Sequence, residues 1–268
     1  MKSKRSSKRK SDIQAILFDL DGVLYIGDHS IDGAAQTVTQ LTDFGHRIAG
    51  ITNTTTQPLR AIAEKLTSMG IPIPQSSIYT PAALASQIIG KRSAALFIRD
   101  ALREDLTEHR EDNESPDFIV MGDIGGEGYP PETLRTIFEL VMNGAEVLAL
   151  HKNRFWQKPD GLHLDLGVFV AAIEYATGKE ATILGKPSTD FFHGICKALD
   201  VAPEHTLMVG DDIESDIGGA KQAGLKTVLV QTGKYRAEYV KQVGKQQGIK
   251  ADMIIPSIAD LPDALSLL

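Results

Sequence analysis

In ILFDLDGVLY, residues 16–25, an apolar run passes directly into two aspartates, Asp19 and Asp21, and then Gly22. A short apolar run of this kind reads as a strand buried in a parallel sheet. Carboxylates at its carboxyl end then face the place where ligands of open α/β sheets bind. An Asp-Gly hairpin turn is the plainer alternative. Three further strings share the form. GITNTTT, residues 50–56, ends an apolar strand in hydroxyl and amide groups suited to phosphate oxygens. ILGKPS, residues 183–188, puts Lys186 after a strand that Pro187 stops, where an ammonium can serve as a point cation. LMVGDDIESD, residues 207–216, ends in Asp211, Asp212 and Asp216. Carboxylates so crowded repel one another unless a cation is bound, and hard oxygen ligands suit magnesium. Taken singly, each string has a bland counterpart: helix capping for Thr52 and Asn53, a solvated lysine, and an N-cap by Ser215 or Asp216. Four polar clusters in order, each closing the strand of a βα unit, argue against accident.

The rest of the chain follows the same grammar. Strands are expected at residues 13–18 and 47–52, with a helix over 33–44 that Asp32 caps and Gly45 stops, and another from Pro58 to Gly70. A later block repeats the pattern: strand 181–184, helix 188–199, strand 206–209, helix 217–223, strand 227–230. The long middle has its own strands at 94–98, 118–121 and 147–150, and helices at 131–143 and 168–176. The expected fold is α/β: a Rossmann-like parallel-sheet core over residues 12–79 and 184–268, with an α/β cap domain inserted at 80–183.

Six of the 28 basic residues lie in the first ten positions, MKSKRSSKRK, leaving 22 against 35 acidic residues, or −13, for the remainder. Residues 1–11 read as a disordered, solvated basic tail. A body this acidic is a poor general polyanion binder, so nucleic acid is not an expected partner. No apolar run approaches the roughly 18 residues of a membrane span, and the opening lacks the apolar stretch of a secretory signal. Cys196 is the single cysteine, which excludes an internal disulfide or a cysteine zinc cluster and fits a reducing, cytoplasmic setting.

The four strings, DLDG with Asp19 and Asp21, Thr52 with Asn53, Lys186, and GDDIESD with Asp211 and Asp216, resemble the motifs of the haloacid dehalogenase superfamily of phosphohydrolases. The long insert resembles the large cap of its class IIA members. The stretch LHLDLGVFVAAIEYATGKEATILGKPSTDFF resembles the subgroup that contains phospholysine phosphohistidine inorganic pyrophosphate phosphatase. The resemblance implies Asp19 as nucleophile, forming an aspartyl-phosphate, and Asp21 as general acid and then base. It implies Mg2+ held by Asp19, the Asp21 carbonyl and Asp211, supported by Asp212 and Asp216. It also implies phosphate oxygens held by Thr52, Asn53 and Lys186, a small phosphorylated substrate, pyrophosphate or phosphoramidate, and a homodimer through the cap.

Two strings in the insert need separate reading. GDIGGEGYPP, residues 122–131, has glycines, but their spacing is wrong for a dinucleotide fingerprint and no helix starts at once, so it reads as a loop. HKNRFWQK, residues 151–158, reads as a solvated turn or a cap loop over the active site, with Asn153, Arg154 and Trp156 as specificity candidates. It departs from the Thr-Asn-Pro-Asp pattern of sugar-phosphate members of the family. Rival functions on these residues are phosphomutase or phosphotransferase chemistry, and a noncatalytic phosphate-sensing module.

Overall fold

The computed structural model describes residues 12–126, 128–158 and 161–268, so the basic tail lies outside the described residues. After β1 (Ala15–Asp19) come a small hairpin, β2 (Tyr25–Ile26) and β3 (His29–Ser30), then α1 (Ala34–Asp43), β4 (Arg47–Ile51) and α2 (Leu59–Ser68). β5 (Ile78–Tyr79) leads to α3 (Pro81–Ile89), β6 (Ser93–Phe97), β7 (Arg110–Glu111), β8 (Phe118–Met121), α4 (Pro131–Met142) and β9 (Glu146–Ala149). A second hairpin, β10 (Phe155–Lys158) and β11 (Gly161–Leu164), precedes α5 (Leu166–Thr177) and β12 (Thr182–Ile183). The chain closes with α6 (Thr189–Ala198), β13 (Thr206–Gly210), α7 (Gly219–Gln222), β14 (Lys226–Val230), α8 (Ala237–Gln247), β15 (Met253–Ile255) and α9 (Leu261–Ala264).

These elements form two compact units. The first holds the residues through Ile51, Glu64–Ile78 and Thr189–Leu268. Its six-stranded sheet has the order β15-β14-β13-β1-β4-β5. β1 lies between β13 and β4 and runs parallel to both, with Phe18 opposite Val209 and Asp19 opposite Ile51. Every residue of β1 and β13 is buried, as a strand covered on both faces requires, which explains their unbroken apolar sequence. The second unit holds Thr52–Ala63 and Tyr79–Ser188. Its five-stranded parallel sheet has the order β12-β9-β8-β6-β7. Ile119, Val120, Met121, Leu148 and Ala149 of that sheet form one core with Ile137 and Leu140 of α4 and Val170 and Ile173 of α5. No helix among the described residues is long and apolar enough to cross a membrane.

The structure departs from the sequence expectations at several element ends. Asp32 does not cap α1: Gly33 takes that position at φ 81°, with no side-chain cap bond. The left-handed backbone there suits a residue without Cβ. The strand expected at 181–184 is shorter and pairs with β9, placing Thr182 opposite Leu148, and so belongs to the second sheet. The helix expected from Ile217 begins earlier, as a π-helical turn over Ile213–Gly218, and becomes α7. Half of the string at 151–158 is strand β10 rather than loop, paired with β11.

At the start of α2 the Leu59 N–H donates to both oxygens of Asp105, at 2.9 and 3.2 Å. A carboxylate remote in sequence thus does the work of a local N-cap. Asp105→Ala should cost about 0.5–2 kcal/mol of stability in denaturant unfolding, and Asp105→Asn, which keeps an acceptor oxygen, should cost less.

Candidate active site

In the first unit Asp19 is the last residue of β1 and Asp211 follows the last residue of β13, so parallel pairing delivers both carboxylates to one edge of the sheet. Asp216 joins them from the π-helical turn. Asp19, Asp211 and Asp216 are all buried, at 6%, 2% and 0% exposure, and each offers a carboxylate oxygen within 4.8 Å of the others. Neighbouring amides set their orientation. Asp216 Oδ2 accepts the N–H groups of Asp211 and Asp212, both at 3.1 Å. Asp212 Oδ1 accepts those of Glu214 and Ser215 at 3.0 and 3.1 Å. The capping residue of this turn is therefore Asp212, not Ser215 or Asp216, because the Asp216 carboxylate is folded back onto the start of its own turn. Asp211 Oδ2 accepts the Lys234 N–H at 2.7 Å, while its Oδ1 is buried with no hydrogen-bond partner.

Burial, together with the charges of Asp19 and Asp216, pushes the Asp211 carboxyl up to about 8, against the pull of the Lys234 ammonium and N–H. Burial and Asp19 raise Asp21 as well, opposed by Lys234 and Lys65. Burial alone would lower the Lys234 ammonium, but Asp212, Asp19, Asp211 and Asp216 outweigh it and raise the group. Its Nζ lies 3.7 Å from Asp212 Oδ2. Lys234 is the residue the motif reading missed, although VLVQTGK repeats the form of the other four strings: β14 ends at Val230 and a polar, glycine-containing turn follows.

In the second unit the Asn53 side chain brackets the backbone of Lys186. Its Nδ2 donates to the Lys186 carbonyl at 2.7 Å and its Oδ1 accepts the Lys186 N–H at 2.8 Å. Lys186 is buried and its bond to Pro187 is cis. The buried Thr52 hydroxyl accepts the Thr54 N–H at 3.1 Å and donates to the Thr54 hydroxyl at 3.0 Å. A Cβ on Gly185 would lie 2.5 Å from Asn53 Oδ1 and 2.7 Å from the Leu150 carbonyl, so that turn requires a glycine.

The segment His151–Arg154 leaves β9 beside the Gly185 turn. His151 is buried, with Nε2 3.8 Å from Asp165 Oδ1. The Asn153 carbonyl accepts the Gly167 N–H at 2.9 Å, and the Arg154 carbonyl accepts that of Asp165 at 3.1 Å. The Arg154 guanidinium stands 5.7 Å from the Phe155 ring centroid. Trp156 is on β10 opposite His163; its side chain lies outside the described residues. The glycine string at 122–131 connects β8 to α4, with Asp123 accepting the Gly125 N–H at 2.6 Å and pairing with Arg99 at 2.9 Å.

A parallel α/β sheet whose carboxyl edge carries a buried cluster of three carboxylates has the form of an α/β enzyme site, and its donors are the hard oxygens that suit a divalent cation. Comparison with known proteins agrees. A family profile described as haloacid dehalogenase-like hydrolase matches residues 16–110, and one described as HAD-hydrolase-like matches residues 183–261. Haloacid dehalogenase-like hydrolase domain-containing protein 2 of Bos taurus is 34% identical over 227 residues, covering 84% of this chain and 86% of its own. Phospholysine phosphohistidine inorganic pyrophosphate phosphatase of Rattus norvegicus is 30% identical over 269 residues, covering 97% and 96%. The crystal structure of a 4-nitrophenylphosphatase from Thermotoga maritima superimposes with a TM-score of 0.85 at 26% identity, covering 95% of this chain and 98% of that one. The chain belongs to the haloacid dehalogenase-like hydrolase family, and it is an enzyme of that hydrolase type with the family's Rossmann-like fold.

The raised Asp211 pKa has a consequence for stability. A carboxyl that holds its proton more tightly when folded contributes stability that is complete below about pH 4, declines as pH rises, and is gone above about pH 8. Metal-free protein should accordingly melt at a lower temperature at pH 8 than at pH 5. Added Mg2+ should raise the melting temperature more at pH 8 than at pH 5; an equal rise at both would show that the cation binds away from this cluster.

Proposed function

We propose that the protein is a magnesium-dependent phosphatase of small phosphorylated substrates, acting through a phosphoryl group carried on Asp19. The observation that carries this reading is the buried trio of Asp19, Asp211 and Asp216, oxygens gathered within 4.8 Å, with one Asp211 oxygen buried and unbonded. Three anionic oxygen donors and no sulfur or nitrogen fit a hard divalent ion. Asp19 and Asp211 would hold it directly, with the Asp21 carbonyl, and Asp212 and Asp216 would fix the turn that carries Asp211. When bound, Mg2+ offsets the repulsion between a carboxylate nucleophile and an anionic phosphoryl group.

The chemistry assigned to the chain's own residues runs in two displacements. An Asp19 oxygen attacks phosphorus, the bond from phosphorus to the leaving atom breaks, and that atom takes the Asp21 proton. The Asp21 carboxylate then takes a proton from water as the water oxygen attacks the same phosphorus, releasing phosphate and restoring Asp19. Burial and the Asp19 charge raise Asp21, the direction a proton donor needs. Thr52, the Asn53 backbone and Lys186 would receive the non-bridging oxygens. The bracket of Asn53 around Lys186 supports this role, since it fixes the lysine backbone and engages the Asn53 side chain.

Those groups grip only the phosphoryl group, so discrimination among leaving groups falls to the second unit acting as a cap, through Asn153, Arg154 and Trp156. The relatives' names point to pyrophosphate, phosphoramidates and aryl phosphates as the first substrates to try.

Asp19→Asn should fold and lose turnover. Acid-quenched single turnovers of a substrate radiolabelled in its phosphoryl group should leave label on the Asp19 peptide of the wild type, and its absence there would remove Asp19 as nucleophile. For the cap, Arg154→Ala should lower kcat/KM for pyrophosphate by about 1.5–3 kcal/mol more than for 4-nitrophenyl phosphate, the worth of a lost charged hydrogen bond. Equal losses on both substrates would assign Arg154 to the folding of its own unit.

A further inference from the structure

Three contacts converge on the turn after β14. Lys234 N–H donates to Asp211 Oδ2 at 2.7 Å. The Thr232 hydroxyl donates to the carbonyl of Gly22, the residue next to Asp21. Between them Gly233 lies against Gly22, backbone to backbone. A Cβ on Gly233 would lie 2.6 Å from the Gly22 Cα and 2.0 Å from Asp211 Oδ2, and one on Gly22 would also lie 2.0 Å from that oxygen. Both glycines have positive φ, at +58° and +89°. One short segment therefore touches the loop that carries Asp21 and the carboxylate of Asp211, which belong to β-strand ends almost two hundred residues apart in sequence.

We infer that Thr232, Gly233 and Lys234 form a positioning clasp that aims the bare oxygen of Asp211 and holds the Asp21 loop in register with it, so that divalent-cation affinity depends on this segment. The inference rests on the metal-dependent reading above and assigns to it residues outside the four motifs. Two of the contacts come from the main chain or from the lack of a side chain, and the third comes from a single hydroxyl. With Oδ2 engaged by the Lys234 N–H, the carboxylate cannot rotate freely, and Oδ1 is the oxygen left to face a cation. Holding a ligand by its outer hydrogen bonds is a general means of raising metal affinity.

The clasp can be tested with Mn2+ alone, titrated into full-length protein and read by isothermal calorimetry and by the electron paramagnetic resonance of free Mn2+. Thr232→Val keeps the branched shape and removes only the donor to Gly22; its Kd should rise about 2–10-fold, the range for one lost hydrogen bond. Thr232→Ser should restore wild-type affinity. Gly233→Ala should weaken binding at least about tenfold, by the clash with Asp211 and the strained φ. Melting of metal-free Thr232→Val should match the wild type, and excess Mn2+ should bring its turnover back. Wild-type affinity in Thr232→Val, or a loss of affinity matched by a loss of metal-free stability, would overturn the clasp and leave the phosphatase reading standing. A wild type that binds no Mn2+ would overturn both.

Discussion

Parallel pairing of β1 with β13 fixes Phe18 opposite Val209, and from that register the site follows, because the next residues beyond the pair include Asp19 on one strand and Asp211 on the other. Two carboxylates are brought to one sheet edge by backbone hydrogen bonding alone, with no regard for their mutual repulsion. Apolar burial along both strands supplies the driving force that holds them there. The sheet therefore imposes an electrostatic cost, and much of the remaining local structure serves to offset it.

The offset comes in three forms. Main-chain N–H groups turn toward carboxylate oxygens: two onto Asp216, two onto Asp212 and one onto Asp211. The Lys234 ammonium adds a positive charge close to Asp212. What these leave uncompensated appears as the raised pKa of Asp211, whose proton stands in for part of a cation's charge. A protonated carboxyl and a metal-bound carboxylate are alternative solutions to one problem, so proton and cation should compete for the same oxygen.

Much of this was legible in the sequence because buried parallel strands have an unmistakable pattern, and a polar residue that ends such a run stands out. The placement of Asp19, Thr52 and Asp211 at strand ends was readable on that ground, as was the parallel sheet of the first unit. What stayed hidden depended on tertiary partners. Nothing local to Leu59 reveals that Asp105 caps α2. Gly33 replaces Asp32 at the start of α1 through a left-handed backbone that composition does not specify. The two-residue strand β12 carries too little pattern to show which sheet it joins, and β10 pairs with residues outside its own string. TGK after β14 carries no signal of its own, because a lone lysine beside a glycine is ordinary surface composition; its meaning lies in the contact with Asp211 and Gly22.

Chemically identical carboxylates acquire different roles here through what already occupies their oxygens. Asp212 has one oxygen committed to two amides of its turn and the other near the Lys234 ammonium, so it is a structural cap. Asp216 has one oxygen committed to two amides, so it pins the residues that bear Asp211 and Asp212, while its other oxygen is buried as Asp211 Oδ1 is. Asp211 receives one N–H and retains a buried, unbonded oxygen, the feature of a ligand prepared for a cation. Asp21 lies beyond the strand, and partial burial of its carboxyl together with the Asp19 charge raises it, where gain and loss of a proton can accompany chemistry. Four carboxylates in a motif could be permuted freely on composition alone. The amides around them remove that freedom: the same side chain is a cap at position 212 and a candidate ligand at position 211 because the N–H groups it meets differ.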